Sequence, residues 1–361
     1  SLEGDRWRYL RKLEQPYFTP RVSEGYLPAA SEITRAELDD LHERCAAPLT
    51  LHGLEIHARL NTRLILALFF GREEPPHTRA EITRRIVDGE DTIAWRSKFP
   101  WRSATGWLNG RNLRARGHRA FFQRYADALE ASPVASDPSR LVGALCRMRA
   151  DSSAPPYSHE LLRNELIVHL GASTETQGVA EGWCMYLLSR HPRVLERLRA
   201  EVDEVAGSEP VGAQHLASLP YALQVIRETL RLFPTAYGVV RDCVEPVEIC
   251  GYRARPRQVF FIALPGLHRT PRFWADADAF RPERFREDRL PQIDRHLYMP
   301  FGAGRHVCIG QHLALPAMTM AMAQLAQRFE WSFEDTEVKW KGRATLKPRG
   351  DFLVTVSRRT A

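Results

Sequence analysis

Cys308 lies in the run Phe301-Gly302-Ala303-Gly304-Arg305-His306-Val307-Cys308-Ile309-Gly310, the stretch of the chain richest in chemical implication. Its glycines let the backbone turn tightly and approach a bulky flat partner closely. A thiolate is the reactive form of cysteine, and positive charge or a helix N-terminus lowers its pKa. His306 supplies a basic residue two places upstream, and Gln311 to Phe329 reads as a helix, so Cys308 is predicted to sit at a positive dipole end. Such a thiolate can ligate a metal, haem iron among others. Taken bare, the run is equally a turn around an ordinary buried cysteine.

Three other constellations bear on that choice. Ala172-Ser173-Thr174-Glu175-Thr176 breaks a long apolar helical pattern with small and hydroxyl residues beside an acid. An alcohol that can hold water, next to a carboxylate, is suited to delivering protons; the alternative is a solvated helix face. Glu228 and Arg231, three apart, share a helix face, which in most helices is a surface pair worth a few tenths of a kcal/mol, about 0.3. Trp7 and Arg11 set an indole N–H and a guanidinium one helical turn apart, a geometry that can grip a carboxylate.

In this order along the chain, the motifs resemble those of the cytochrome P-450 family, the haem-thiolate monooxygenases. The cysteine loop follows the family's Phe-x-x-Gly-x-basic-x-Cys-x-Gly pattern through Phe301, Gly304, His306, Cys308 and Gly310. The resemblance implies haem b with Cys308 as axial thiolate. It implies propionate contacts from Trp7, Arg11, Arg241 and His306, and an oxygen-activating pair in Glu175 and Thr176. It further implies a structural trio of Glu228, Arg231 and Arg284, the last from Pro282-Glu283-Arg284-Phe285, which holds the cysteine loop. Ala172, Thr235, Ala236 and Tyr237 match regions that line the distal pocket in relatives.

Two departures are visible. Ser173 stands where the family usually has glycine, which implies a narrower or more polar oxygen groove. Pro316 falls inside the helix after Cys308, where a kink is expected, and Ala317 replaces an acid often found there. The family's Trp-x-x-x-Arg helix is ordinarily preceded by a substantial segment, whereas this sequence opens almost on it. An N-terminally incomplete haem domain over residues 1–361 is therefore expected.

Composition agrees with a globular enzyme. The 361 residues are 44% hydrophobic and 26% charged, enough apolar material to enclose a cofactor. The net charge of +7 is scattered, with no tract that argues for nucleic acid; a docking face for an acidic electron carrier is the sharper reading. None of the six cysteines forms a Cys-x-x-Cys pair, so a reducing, cytoplasmic setting fits. The longest strongly apolar run, Leu64 to Phe70, is too short to span a bilayer.

The elements that must position these residues are mostly helical. Leu162, Leu166, His169, Leu170, Val179, Trp183 and Leu187 recur at helical steps through Leu161 to Arg190, between Pro155-Pro156 and Pro192. Helices are predicted over Val194–Val205 and Tyr221–Leu232. Short strands follow around Val239–Ile249, over Val259–Leu264 and at Phe352–Val356. The fold class is mainly α with minor β.

The activity implied is insertion of one oxygen atom from O2 into a C–H bond of an apolar small molecule. With no flavin or iron–sulfur segment in the sequence, electrons must come from a separate ferredoxin- or flavodoxin-type donor with its reductase. A peroxide-driven or isomerising enzyme, or a haem sensor or carrier that never turns over, are the alternatives. Asp39-Asp40 also raises a magnesium-dependent prenyl cyclase, against the plainer reading of a solvated helix.

Overall fold

The computed structural model describes residues 4–98, 110–148, 159–335, 337–342 and 345–360. The expected Pro155-Pro156 boundary and residues Ser1 to Glu3 lie outside them.

Helices dominate. In chain order they are α1 (Gly4–Glu14), α2 (Pro20–Arg44), α3 (Glu55–Phe70), α4 (Pro76–Lys98), α5 (Gly110–Glu130) and α6 (Leu141–Met148). They continue with α7 (His159–Arg190), α8 (Pro192–Ala206), α9 (Pro220–Leu232), the short α10 (Leu264–Leu267) and α11 (Gln311–Arg328). The expected long helix is α7. Leu162, Leu166, Leu170, Val179, Trp183 and Leu187 on it are all buried, because the helix crosses the core with neighbours on several sides. Gly178 lets α3 come close; a Cβ there would lie 3.4 Å from the Ala58 backbone nitrogen.

Small antiparallel sheets flank this body. Strand β1 (Leu49–His52) pairs with β9 (Leu353–Arg358), which also pairs with β6 (Phe329–Phe333). Val354 and Val356 point into the core from β9, as their alternation predicts. Three hairpin-like pairs complete the sheets: β2 (Gly238–Asp242) with β5 (Val259–Ala263), β3 (Val247–Ile249) with β4 (Tyr252–Ala254), and β7 (Trp340–Gly342) with β8 (Leu346–Pro348). Strands β1, β4, β6, β7 and β8 were not foreseen in the sequence: β1 and β6 pair with β9, and β4, β7 and β8 are only three residues long.

Helix α7 runs unbroken through the Ala172–Thr176 stretch, as the expected Leu161–Arg190 helix requires. Helix α11 continues through Pro316. The ring removes only the bond to the His312 carbonyl, and His312 is exposed to water. Asp39 pairs with Arg328 at 2.7 Å and Asp40 with Arg59 at 3.0 Å. The two acids are thus committed to arginines, which argues against the prenyl-cyclase reading.

Candidate active site

One cavity of about 420 Å³ lies between α7 and the loop that carries Cys308, within the range of about 300–1,000 Å³ usual for ligand pockets. Its walls are chiefly apolar, with Phe18, Ile65, Phe69, Ala172, Leu264 and Met318 among them. The cysteine loop forms one wall. Gly302 and Gly304 adopt φ of 74° and 77°, which favour glycine, and an added Cβ at either would meet nothing within 4 Å; Gly302 lines the cavity. The Cys308 amide donates to the Phe301 carbonyl at 2.9 Å, closing the turn.

The Cys308 side chain is exposed toward that cavity. Desolvation by the surrounding protein pushes its thiol pKa up; amide N–H groups of Gly310 and Gln311 and the Arg11 guanidinium oppose this without winning. The expectation that the helix end and basic neighbours dominate is therefore corrected. A metal bound at this sulfur would hold it as the thiolate.

Basic and aromatic groups gather at the same rim. The Trp7 and His306 rings lie 4.1 Å apart at 39°. Arg241 and His306 line the cavity, and Arg241 donates to the Ala303 carbonyl at 3.0 Å, tying its guanidinium to the loop. Trp7 and Arg11, on α1, stand behind this rim rather than in the lining itself.

The opposite wall is one face of α7. His169, Ala172, Ser173, Thr176, Gln177 and Ala180 all line the cavity, at helical spacing. The Thr176 hydroxyl donates to the Ala172 carbonyl one turn back. Ser173 donates to Gln177 Oε1 at 3.1 Å, so polarity is indeed added at that point of the wall. Glu175 does not share this face. Its carboxylate is buried, accepts from the Thr345 hydroxyl at 2.8 Å and pairs with the Lys347 ammonium on β8. The expected acid–alcohol pair is therefore split, with only the alcohol facing the cavity.

The pocket residues divide in the same way. Thr235, Ala236 and Ala172 line the cavity, but Tyr237 does not. Just before β2, Tyr237 turns away from the cavity and packs on Phe261 at 5.9 Å and on Gly342. Gly310 and Phe301 both line the cavity, as expected.

The trio of Glu228, Arg231 and Arg284 assembles as the resemblance implies. Glu228 and Arg231 are fully buried, with paired bonds of 2.7 and 2.8 Å between guanidinium and carboxylate. Arg284 Nε and the Arg281 amide also donate to Glu228, at 3.2 and 2.8 Å. Arg231 further donates to the carbonyls of His268, Ala277 and Ala279. His268, which sequence reasoning missed, links the trio to the loop. Its Nε2 accepts from the Met299 amide at 3.1 Å, and the Met299 carbonyl accepts from Gly302 at 2.9 Å. Burial pushes the His268 pKa down to about 4, so the ring is a neutral acceptor. A His-Arg pair after a strand was the only signal available, and it is weak.

The cytochrome P450 family model matches residues 1–355. The chain is 31% identical over 367 residues to the germacrene A hydroxylase of Cichorium intybus, covering 99% of this chain and 74% of that one. It is 28% identical over 331 residues to the cyclooctat-9-en-7-ol 5-monooxygenase of Streptomyces melanosporofaciens, covering 90% and 71%. Its fold superposes on the crystal structure of the cytochrome P450DA haem domain with a TM-score of 0.83 at 23% identity, covering 97% of this chain and 77% of that one. The chain belongs to the cytochrome P450 family and is a cytochrome P450 monooxygenase. Members of the family hold haem through a cysteine thiolate. The glycines of the loop, the cavity-facing Cys308 and the basic rim are features such a group would need. Among the described residues, no helix is long and apolar enough to cross a membrane.

Proposed function

We propose that residues 1–361 form a single haem-b domain that inserts one oxygen atom from O2 into a C–H bond of an apolar small molecule. Its electrons would come from a separate ferredoxin- or flavodoxin-type protein with its reductase, in the cytoplasm. The observation that carries this reading is that Cys308 and Thr176 face one largely apolar cavity from opposite walls. When bound, haem supplies the activation of dioxygen.

The chain's own residues do the rest. Cys308 ligates the iron, and the amides of Gly310 and Gln311 aim at its sulfur and temper the thiolate charge. Trp7, Arg11, Arg241 and His306 hold the propionates by charge-assisted bonds. The Thr176 hydroxyl would orient a proton-bearing water in the cavity, with Glu175 as the more remote proton source. Ala172, Thr235 and Ala236 shape the apolar site. Relatives named for cyclooctat-9-en-7-ol and germacrene A agree with a substrate of that kind.

A second reading has one specific observation behind it. Because Glu175 is tied to Lys347, away from the cavity, a peroxide-driven reaction, which brings its own protons, is favoured relative to what the sequence implies. Turnover of apolar compounds under 18O2, with a surrogate donor and reductase, decides between them. The proposal expects one labelled oxygen in the product. Unlabelled product formed only when peroxide is added would overturn it.

A further inference from the structure

Where α1 meets α7, three ionisable side chains converge outside the cysteine loop. Glu14 ends α1, and Glu165 and His169 lie one turn apart on α7. Glu14 and His169 are buried and Glu165 is half-buried. One ligand atom from each lies within 4.8 Å of the other two. His169 Nε2 is 3.0 Å from Glu14 Oε1, and its ring lies nearly parallel to that of Phe18, 5.8 Å away. His169 also lines the cavity.

Two carboxylates at such a distance in a buried setting repel, and something must offset them. A divalent cation offsets both charges at once while leaving the imidazole neutral. Mixed nitrogen and oxygen donors suit zinc-class ions better than calcium or magnesium, which prefer oxygen alone. Three protein ligands with one position left open are the pattern of zinc sites that accept a water or a further ligand.

We propose that Glu14, Glu165 and His169 form a binding site for a zinc-class divalent cation. The site joins α1, which carries Trp7 and Arg11, to α7, which carries Thr176. It takes no part in the proposed iron ligation, and neither reading depends on the other.

The test uses haem-loaded protein stripped with chelator, dialysed against Zn2+ and assayed for bound metal by elemental analysis. The native chain should retain one more zinc ion than His169→Ala, and Glu165→Gln should bind that ion at least tenfold more weakly. X-ray absorption at the zinc edge should show a nitrogen and oxygen shell at about 2.0–2.1 Å with an imidazole contribution. Circular dichroism checks that the variants are folded, and Glu165→Gln alters only charge should His169→Ala fail to fold. Equal zinc content and affinity in the native chain and Glu165→Gln would overturn the proposal, as would a native chain that retains none.

Discussion

Lys347 on β8 holds the Glu175 carboxylate on the side of α7 turned away from the cavity, while the next residue, Thr176, faces into it. Both partners are nearly inaccessible to water, with side chains 10% and 5% exposed. Removing one partner of such a pair leaves a buried charge without compensation, which costs about 3–5 kcal/mol. Lys347→Met should therefore destabilise the protein by about 3 kcal/mol in denaturant titration. The double variant Lys347→Met/Glu175→Gln should recover much of the loss. Strict additivity of the two substitutions would show that the pair does not couple.

Thr176→Ala removes the one hydroxyl of the expected pair that reaches the cavity. Haem content and the carbon monoxide spectrum should be unchanged, while product formed per electron consumed falls severalfold. Thr176→Ser should restore most of the coupling, because it keeps the hydroxyl. Unchanged coupling in the alanine variant would remove Thr176 from proton handling.

Arg231 makes two bonds to Glu228 and three to backbone carbonyls, all within the core. A lysine ammonium cannot reproduce the planar fork that serves these acceptors. Arg231→Lys should lower stability by about 3 kcal/mol and reduce retained haem, since the chain of bonds through His268 to Met299 and Gly302 ends at the cysteine loop. Native haem retention in a destabilised variant would separate the trio from loop support.

Glu165 gives a pH signature in metal-free buffer. Its carboxyl is raised from the ordinary 4.5 to about 7, so the folded state favours the protonated form. The stability this contributes is complete below pH 4.5 and is lost as pH rises through about 7. Glu165→Gln, which mimics the protonated carboxyl, should match the native protein at low pH and exceed its stability above pH 7. Parallel stability curves for the two proteins would contradict this.

Local motifs carried most of what the sequence disclosed. The cysteine loop and the Glu228–Arg231 pair are each compact in sequence, and their residue types alone fix much of their geometry. Which face a side chain takes was harder to read. At 100° per residue, Glu175 falls about 115° from the centre of the α7 face defined by His169, Ala172, Ser173, Thr176 and Ala180. Tyr237 similarly turns away between the cavity-lining Ala236 and Gly238. Both misplacements follow from treating neighbours in sequence as neighbours in the site.

Long-range partners outside the resemblance's motifs were not readable. Lys347 sits on a three-residue strand, and Glu14 lies 155 positions from His169. Nothing in local composition marks either as a partner. The Cys308 thiol was misjudged for a related reason: the nearby positive charge is visible in the sequence, whereas the burial that outweighs it comes from the assembled walls.

Thiolate ligation by Cys308 is tested most directly by the carbon monoxide difference spectrum of the reduced, haem-loaded protein beside that of Cys308→Ser. The native chain should show the strongly red-shifted Soret band of a thiolate-ligated haem, and the variant should lose it while any residual haem absorbs at shorter wavelength. A variant that keeps the red-shifted band would show that the iron takes its thiolate elsewhere, and would contradict the account.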